Sequence, residues 1–128
     1  MCKLVSLKSS NGDRIQIAEV KKDVIKGIQK IASDCDGIER IILFGSVLER
    51  DCNASSDIDM VIISRVPLAQ LSKSPSYRDF KRKLYDIDDE QTYDILRFSS
   101  MEQIKKNRAG AGKDILEKGK VIYERMAG

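Results

Sequence analysis

The sequence predicts an α/β fold in which short apolar strands alternate with amphipathic helices. Two apolar runs of strand length, Ile38 to Phe44 and Asp57 to Ser64, are bounded by polar turns, and apolar residues recur at helical spacing before and after them. A length of 128 residues, with 41% hydrophobic and 34% charged residues, is typical of a globular domain with one core. We therefore expect residues 1–128 to form a single domain.

An N-terminal hairpin is expected within residues 1–18. Two semi-alternating segments, Leu4 to Leu7 and Ile15 to Ala18, flank the pair Asn11-Gly12. Asn-Gly between such segments is the strongest short-range signal for a hairpin turn.

The chain from Glu19 onward predicts an amphipathic helix. Its apolar residues recur at helical spacing, and glycine suits the C-terminal cap that the pair Asp36-Gly37 would supply. We expect its lysines to form a solvated face: Lys21, Lys22, Lys26 and Lys30.

The remaining elements follow from periodicity and turn residues. The first apolar run predicts a buried strand that leads through Gly45-Ser46 into a short helical segment, and the second run predicts another strand. Beyond the second strand the predicted elements are a helical turn at residues 68–71, a helix at 76–85, a strand at 92–98, a helix broken at 109–112 and a short strand at 121–123.

Composition excludes several classes of site. The chain has no histidine and three cysteines, Cys2, Cys35 and Cys52, and this odd number at wide spacing argues against a disulfide framework and a zinc site. Any catalysis must rest on carboxylates, lysines, hydroxyls or a hard metal ion.

Location and partners are constrained more weakly. No apolar run approaches the roughly 18 residues that a membrane span needs, and the N-terminus lacks the apolar core of a signal peptide, so we expect a cytoplasmic protein. The net charge of +3 is spread among interspersed acids and bases, which does not indicate a nucleic-acid partner.

Two aspartates at the start of the second strand predict a metal site. The strand period of two would point the carboxylates of Asp57 and Asp59 to one face, where oxygen ligands favour Mg²⁺ or Mn²⁺. Such ions are usually shared with substrate phosphates, which Gly45 and Ser46 could contact through backbone N–H groups and a hydroxyl. Asp94, within an otherwise apolar strand, is the candidate third carboxylate and general base or second metal ligand.

Each of these residues also has a purely structural interpretation. Gly45-Ser46 could be an ordinary capped turn, Asp57 and Asp59 a surface turn, and Asp94 an edge-strand acid that faces water. In a shifted register, an acid of the solvated loop Asp86 to Gln91 would supply the third carboxylate instead.

Taken together, the motifs resemble a known family. Phe44-Gly45-Ser46, then Asp57-Ile58-Asp59 with an apolar continuation, and the later Asp94 are similar to the minimal nucleotidyltransferases of the DNA polymerase beta superfamily. The resemblance covers roughly Val20 to Glu124 and includes the closing helix, glycine and strand.

The resemblance implies a nucleotidyltransferase fold with a small mixed sheet flanked by helices. It further implies Mg²⁺-dependent transfer of a nucleoside monophosphate from a nucleoside triphosphate, ATP in the first place, with release of pyrophosphate. Members of this size often act as antitoxins that modify a helical partner of the HEPN ribonuclease class, while others are close to antibiotic nucleotidyltransferases. A homo-oligomer is compatible with this picture.

One segment departs from the family pattern. Relatives commonly carry an Ala-Arg-Gly-like sequence after Gly-Ser, whereas this chain has Val47-Leu48-Glu49-Arg50-Asp51, in which Arg50 is the candidate substitute, displaced by one position. The departure keeps a rival open, namely a stoichiometric antitoxin or nucleotide sensor that transfers nothing. A standalone transferase for antibiotics or nucleic acids is disfavoured by small size and weak charge.

Overall fold

The computed structural model describes residues 2–126, except for the side chains of residues 108 and 109. A hairpin of two antiparallel strands, β1 (Leu4–Lys8) and β2 (Arg14–Ala18), opens the chain. In its turn, Gly12 has a φ of +97° and the Asn11 side-chain oxygen accepts a hydrogen bond from Asp13 N at 3.0 Å. The predicted N-terminal hairpin is thus confirmed.

A four-stranded mixed sheet forms the centre of the fold. Its strands are β3 (Ile38–Phe44), β4 (Ile58–Ser64), β5 (Tyr93–Phe98) and β6 (Lys120–Glu124), in the order β5-β4-β3-β6. β4 and β5 are parallel, and the other pairs are antiparallel. The mixed sheet that the family resemblance implied is therefore present, with β5 and β6 at its edges.

In the described residues, five α-helices flank the sheet: α1 (Lys22–Ala32), α2 (Leu68–Lys73), α3 (Pro75–Ile87), α4 (Met101–Lys106) and α5 (Lys113–Lys118). Short 3-10 turns stand at Glu19–Lys21 and Gly45–Leu48, and the predicted break between the last two helices is a π-helical segment, Arg108–Gly112.

The first helix ends earlier than its sequence predicts. It stops at Ala32 because Asp34 N and Cys35 N donate to the carbonyls of Ile31 and Ala32, each at 3.1 Å, which tightens the chain into a turn before β3. The third helix is longer than predicted, since Ser74 accepts from Tyr77 N at 3.4 Å as its N-cap.

Side-chain alternation along the strands divides the core between the two faces of the sheet. The face that carries Ile58, Met60 and Ile62 packs against α1 and α3. The opposite face, with Val61 and Ile63, packs against Ile104 of α4 and Ile115 of α5. Because α4 and α5 are short, they cover only part of this second face.

In residues 2–126, no helix has the length and apolar character needed to cross a membrane.

Candidate functional site

Strand pairing brings three sequence motifs together at one end of the sheet. Phe44 is opposite Asp59 in the β3–β4 pair, and Asp59 is opposite Asp94 in the β4–β5 pair. Neighbouring strands lie about 4.8 Å apart, so the Gly45 turn, Asp59 and Asp94 are adjacent across the sheet.

The two paired aspartates point to the same face. Along β4, Asp59 alternates with Ile58 and Met60, whose side chains belong to the core under α1 and α3. Along β5, Asp94 shares its face with Leu96, which packs in the cluster under α4 and α5. Both carboxylates therefore lie on the second face, beyond the part that these helices cover.

The carboxyl group of Asp59 has a raised pKa. It is half-buried, and burial raises its pKa first of all, followed by the negative charges of Asp94 and Asp57. Asp94, by contrast, is exposed on the edge strand, so it is open to solvent as well as to its neighbour. The cluster concentrates negative charge at an accessible point, which is the property of a cation site.

Asp57 lies one residue before β4, not within the strand as the sequence predicted. Strand pairing starts at Ile58, whose N–H donates to the Thr92 carbonyl at 3.1 Å, and so leaves Asp57 outside the ladder. Its exposed carboxylate accepts a hydrogen bond from the Thr92 hydroxyl. Asp57 still contributes to the negative field at Asp59.

Position 45 requires glycine for two reasons, its backbone conformation and its closeness to Asp59. Its φ is +77°, a conformation that residues with a Cβ rarely adopt, and a Cβ placed there would collide with the Asp59 carboxylate. The glycine thus lets the turn pass directly beside the aspartate. Ser46 follows Gly45 within the 3-10 turn.

A cavity of about 300 Å³ opens beside Gly45. Its lining carries three carboxylates and two ammonium groups: Glu49, Asp114, Glu117, Lys118 and Lys120. Arg50, the candidate substitute for the basic residue of the family pattern, lines a different cavity together with Cys2 and Val20. Within the described chain, it is Glu49 and not Arg50 that stands next to the Gly-Ser turn.

The donor set fits a hard divalent cation. Within residues 2–126, no three acidic, cysteine or histidine side chains converge tightly enough to form a complete three-ligand metal site. Mg²⁺ is commonly held by one or two carboxylates with phosphate oxygens from the substrate. Asp59 and Asp94, with Asp57 beside them, supply such oxygen donors.

The structure also reveals site neighbours that sequence reasoning missed. Lys21 was expected on a solvated helix face, but it is 1% exposed, and its ammonium group donates to the Ala54 carbonyl and the Gln91 side chain. Gln91 is buried too, two residues before β5. Nothing in the local sequence separates Lys21 from the other lysines of the stripe. Asp86, Asp88 and Asp89 are exposed as predicted, but α3 extends to Ile87, so Asp86 belongs to the helix and only Asp88 and Asp89 lie in the loop after it.

A small mixed sheet with a glycine-serine turn beside paired aspartates defines a nucleotidyltransferase. The family described as "Polymerase beta, Nucleotidyltransferase" matches residues 26–127, and the chain belongs to this family. Its members generally use a nucleoside triphosphate and a divalent metal.

Comparison with solved structures supports the fold. The chain is similar to a crystal structure of a toxin–antitoxin MntA-HpeT mutant, with a TM-score of 0.53 and 16% sequence identity over 80% of this chain and 74% of that one. A search of curated proteins finds no match.

Proposed function

We propose that this protein transfers a nucleoside monophosphate from a nucleoside triphosphate, ATP in the first place, to a hydroxyl group of a protein. The observation that carries the proposal is the direct opposition of Asp59 and Asp94 beside the Gly45 turn, on the open part of the sheet face. Membership of the polymerase beta nucleotidyltransferase family supports the reaction class.

Each residue of the site has a proposed role. Asp59 and Asp94, with Asp57 beside them, would supply carboxylate oxygens to Mg²⁺ or Mn²⁺ alongside phosphate oxygens of the substrate, and the bound ion would neutralise charge on the phosphates. Gly45 and Ser46 would contact the triphosphate through backbone N–H groups and the serine hydroxyl. Asp94, the most open of the paired carboxylates, would act as general base.

The proposed transfer needs no reactant besides the nucleoside triphosphate and the acceptor hydroxyl group. The acceptor hydroxyl oxygen forms a bond to the α-phosphorus as its proton passes to Asp94, and the bond between the α-phosphorus and the bridging oxygen to the β-phosphate breaks. Pyrophosphate leaves with the bonding electron pair. The chain's own part is to align the acceptor with the α-phosphorus and to receive the proton.

We propose a small helical protein of the HEPN class as the acceptor, with this chain as its antitoxin. Support comes from the fold similarity to a toxin–antitoxin structure, whose mutant carries glutamate at two aspartates separated by one residue, the same spacing as Asp57 and Asp59. We further propose that residues 1–128 act as one domain.

The test is label transfer with a matched double variant. The protein is incubated with Mg²⁺, labelled nucleoside triphosphates and the product of its neighbouring gene. Asp57→Asn/Asp59→Asn should abolish labelling, whereas Asp86→Asn/Asp88→Asn, which removes two exposed acids at the same spacing, should leave it unchanged. Labelling that survives the first double substitution would contradict the assigned site.

A second candidate is a binding module that captures its partner or a nucleotide and transfers nothing. Glu49, which lines the cavity beside Gly45 and brings a negative charge to the expected phosphate position, favours this alternative. A tight complex with the neighbouring gene product, without label transfer at any metal concentration, would establish it in place of the enzyme.

A further inference from the structure

Lys21 lies at the centre of a buried polar network that leads to the candidate site. It ends the 3-10 turn before α1 and is 1% exposed. Its Nζ donates to the side-chain oxygen of Gln91 at 2.7 Å and to the Ala54 carbonyl at 3.1 Å. Because a buried ammonium group must keep its hydrogen-bond partners, Lys21 fixes both acceptors in place.

Gln91 extends the network to both sides of the carboxylate cluster. The side chain is 5% exposed, and its amide nitrogen donates to the Ser56 carbonyl at 3.0 Å and to the Thr92 carbonyl at 2.7 Å. Ser56 directly precedes Asp57, and Thr92 directly precedes β5. One side chain therefore joins the segment that enters β4 to the segment that enters β5.

Thr92 completes the connection to the acidic cluster. Its carbonyl accepts from Ile58 N at 3.1 Å and its hydroxyl donates to the Asp57 carboxylate. The turn before Asp57 is closed locally as well, since Ser56 N donates to the Asn53 carbonyl at 3.0 Å. A chain of hydrogen bonds thus runs from Lys21 through Gln91 and Thr92 to the Asp57 carboxylate.

We propose that Lys21 is a positioning residue that acts through Gln91 and Thr92 to set the affinity of the acidic cluster for its divalent cation. The inference rests on the proposed function, in that it concerns the metal of the same site. Removal of residues that orient metal ligands typically lowers metal affinity about 10–100-fold.

Three substitutions in the full-length protein interrupt the network at successive points. Lys21→Met removes the buried ammonium group. Gln91→Glu keeps an acceptor for Lys21 but takes the N–H donors away from the Ser56 and Thr92 carbonyls. Thr92→Val removes the exposed hydroxyl that contacts Asp57. Lys26→Met is the matched control, because Lys26 is an exposed lysine of the neighbouring α1.

Mn²⁺ affinity and local hydrogen exchange are the two measurements. The Mn²⁺ concentration at half-saturation, followed by electron paramagnetic resonance with a non-hydrolysable ATP analogue, should rise about 10–100-fold in the three network variants and remain at the wild-type value in Lys26→Met. Without metal, the amides of Ser56 and Ile58 should exchange faster in Lys21→Met and Gln91→Glu, with no matching change in α3.

The outcomes separate this inference from the proposed function. Wild-type Mn²⁺ affinity and unchanged local exchange in the network variants would overturn the positioning role even if the enzyme transfers nucleotide normally. If Lys21→Met does not fold, Thr92→Val decides the affinity question, because its side chain is exposed. Absence of Mn²⁺ binding by the wild type would overturn the metal site itself, and with it this inference.

Discussion

Replacement of Asp59 by asparagine should stabilise the metal-free protein while it abolishes stabilisation by metal. Asp59 is half-buried and directly opposite Asp94, and its raised pKa reports that the charged form is disfavoured by burial and by two neighbouring carboxylates. Asparagine has nearly the same shape and no charge. The substitution therefore removes a repulsion that the folded state bears and the unfolded chain does not.

The expected gain can be worked out from the geometry. Like charges directly opposite on neighbouring strands destabilise a protein by about 0.2–1 kcal/mol, and the exposure of Asp94 places this pair within that range through solvent screening. A gain of about 0.2–1 kcal/mol in the free energy of unfolding corresponds to a rise in Tm of roughly 1–5 °C for a domain of this size.

The pH dependence has a definite sign. The pKa of Asp59 is higher in the folded protein than in the unfolded chain, so the wild type is favoured by protonation and loses stability as the pH rises from the unfolded pKa, about 3.9, through the folded pKa. The advantage of the asparagine variant should consequently be full at pH 7 and should vanish near pH 3.

Calorimetry with and without metal tests the prediction. In EDTA at pH 7, Asp59→Asn should melt above the wild type, and Asp89→Asn, in the exposed loop after α3, should not. With Mn²⁺ at about 100 times its Kd, the wild type should gain about 2.7 kcal/mol and the Asp59 variant almost nothing, which reverses the order of the two Tm values. A lower Tm of Asp59→Asn in EDTA, or an equal gain with Mn²⁺, would refute the reasoning.

Three further predictions follow from the same structure. Gly12→Ala should cost about 1–2 kcal/mol of left-handed backbone strain, since its Cβ would meet open space. Gly45→Ala should destabilise the fold by more than this, because its Cβ would also meet the Asp59 carboxylate. Urea unfolding of the two variants measures the difference, and equal losses would argue against that contact. Asp94→Asn should lower kcat about 10²–10⁴-fold while the Kd for a nucleotide analogue stays within a few-fold of the wild type, and unchanged turnover would show that another carboxylate is the base. Burial raises the pKa of Tyr93 to about 12, above the value near 10 of the unfolded chain. Its contribution to stability is therefore complete below pH 10 and is lost as the pH rises toward 12. The absorbance titration of the wild type minus that of Tyr93→Phe should show a transition near pH 12, and a midpoint near 10 would contradict this.

Much of the fold could be predicted because its signals are local. The apolar runs of β3 and β4 are long and bounded by polar turns, and the Asn11-Gly12 pair specifies the hairpin turn within a few residues. Because side chains alternate along a strand, the assignment of residues 92–98 to a strand is enough to place Asp94 and Leu96 on one face. These features depend only on neighbours in the sequence.

The rest of the site depends on contacts between distant segments. Which residue of β5 stands opposite Asp59 is a matter of register, and a strand pattern of period two does not determine it. The burial of Lys21 depends on acceptors that lie 33 and 70 residues further along the chain. The helical pattern did not distinguish this lysine from Lys26, since it predicts a solvated position for both.

The parallel pairing of β4 with β5 has a consequence for the order in which the protein folds. Parallel neighbours require a crossover connection, and here residues 65–92, with α2 and α3, must be in place before Asp94 reaches Asp59. Such non-local contacts carry a large loop-closure entropy and form slowly. A chain that has emerged only as far as β4 therefore contains the segments of the hairpin, α1 and the Gly45 turn, yet lacks Asp94 and with it the carboxylate pair. Metal added during refolding should accordingly stabilise only those molecules in which the crossover connection has already formed.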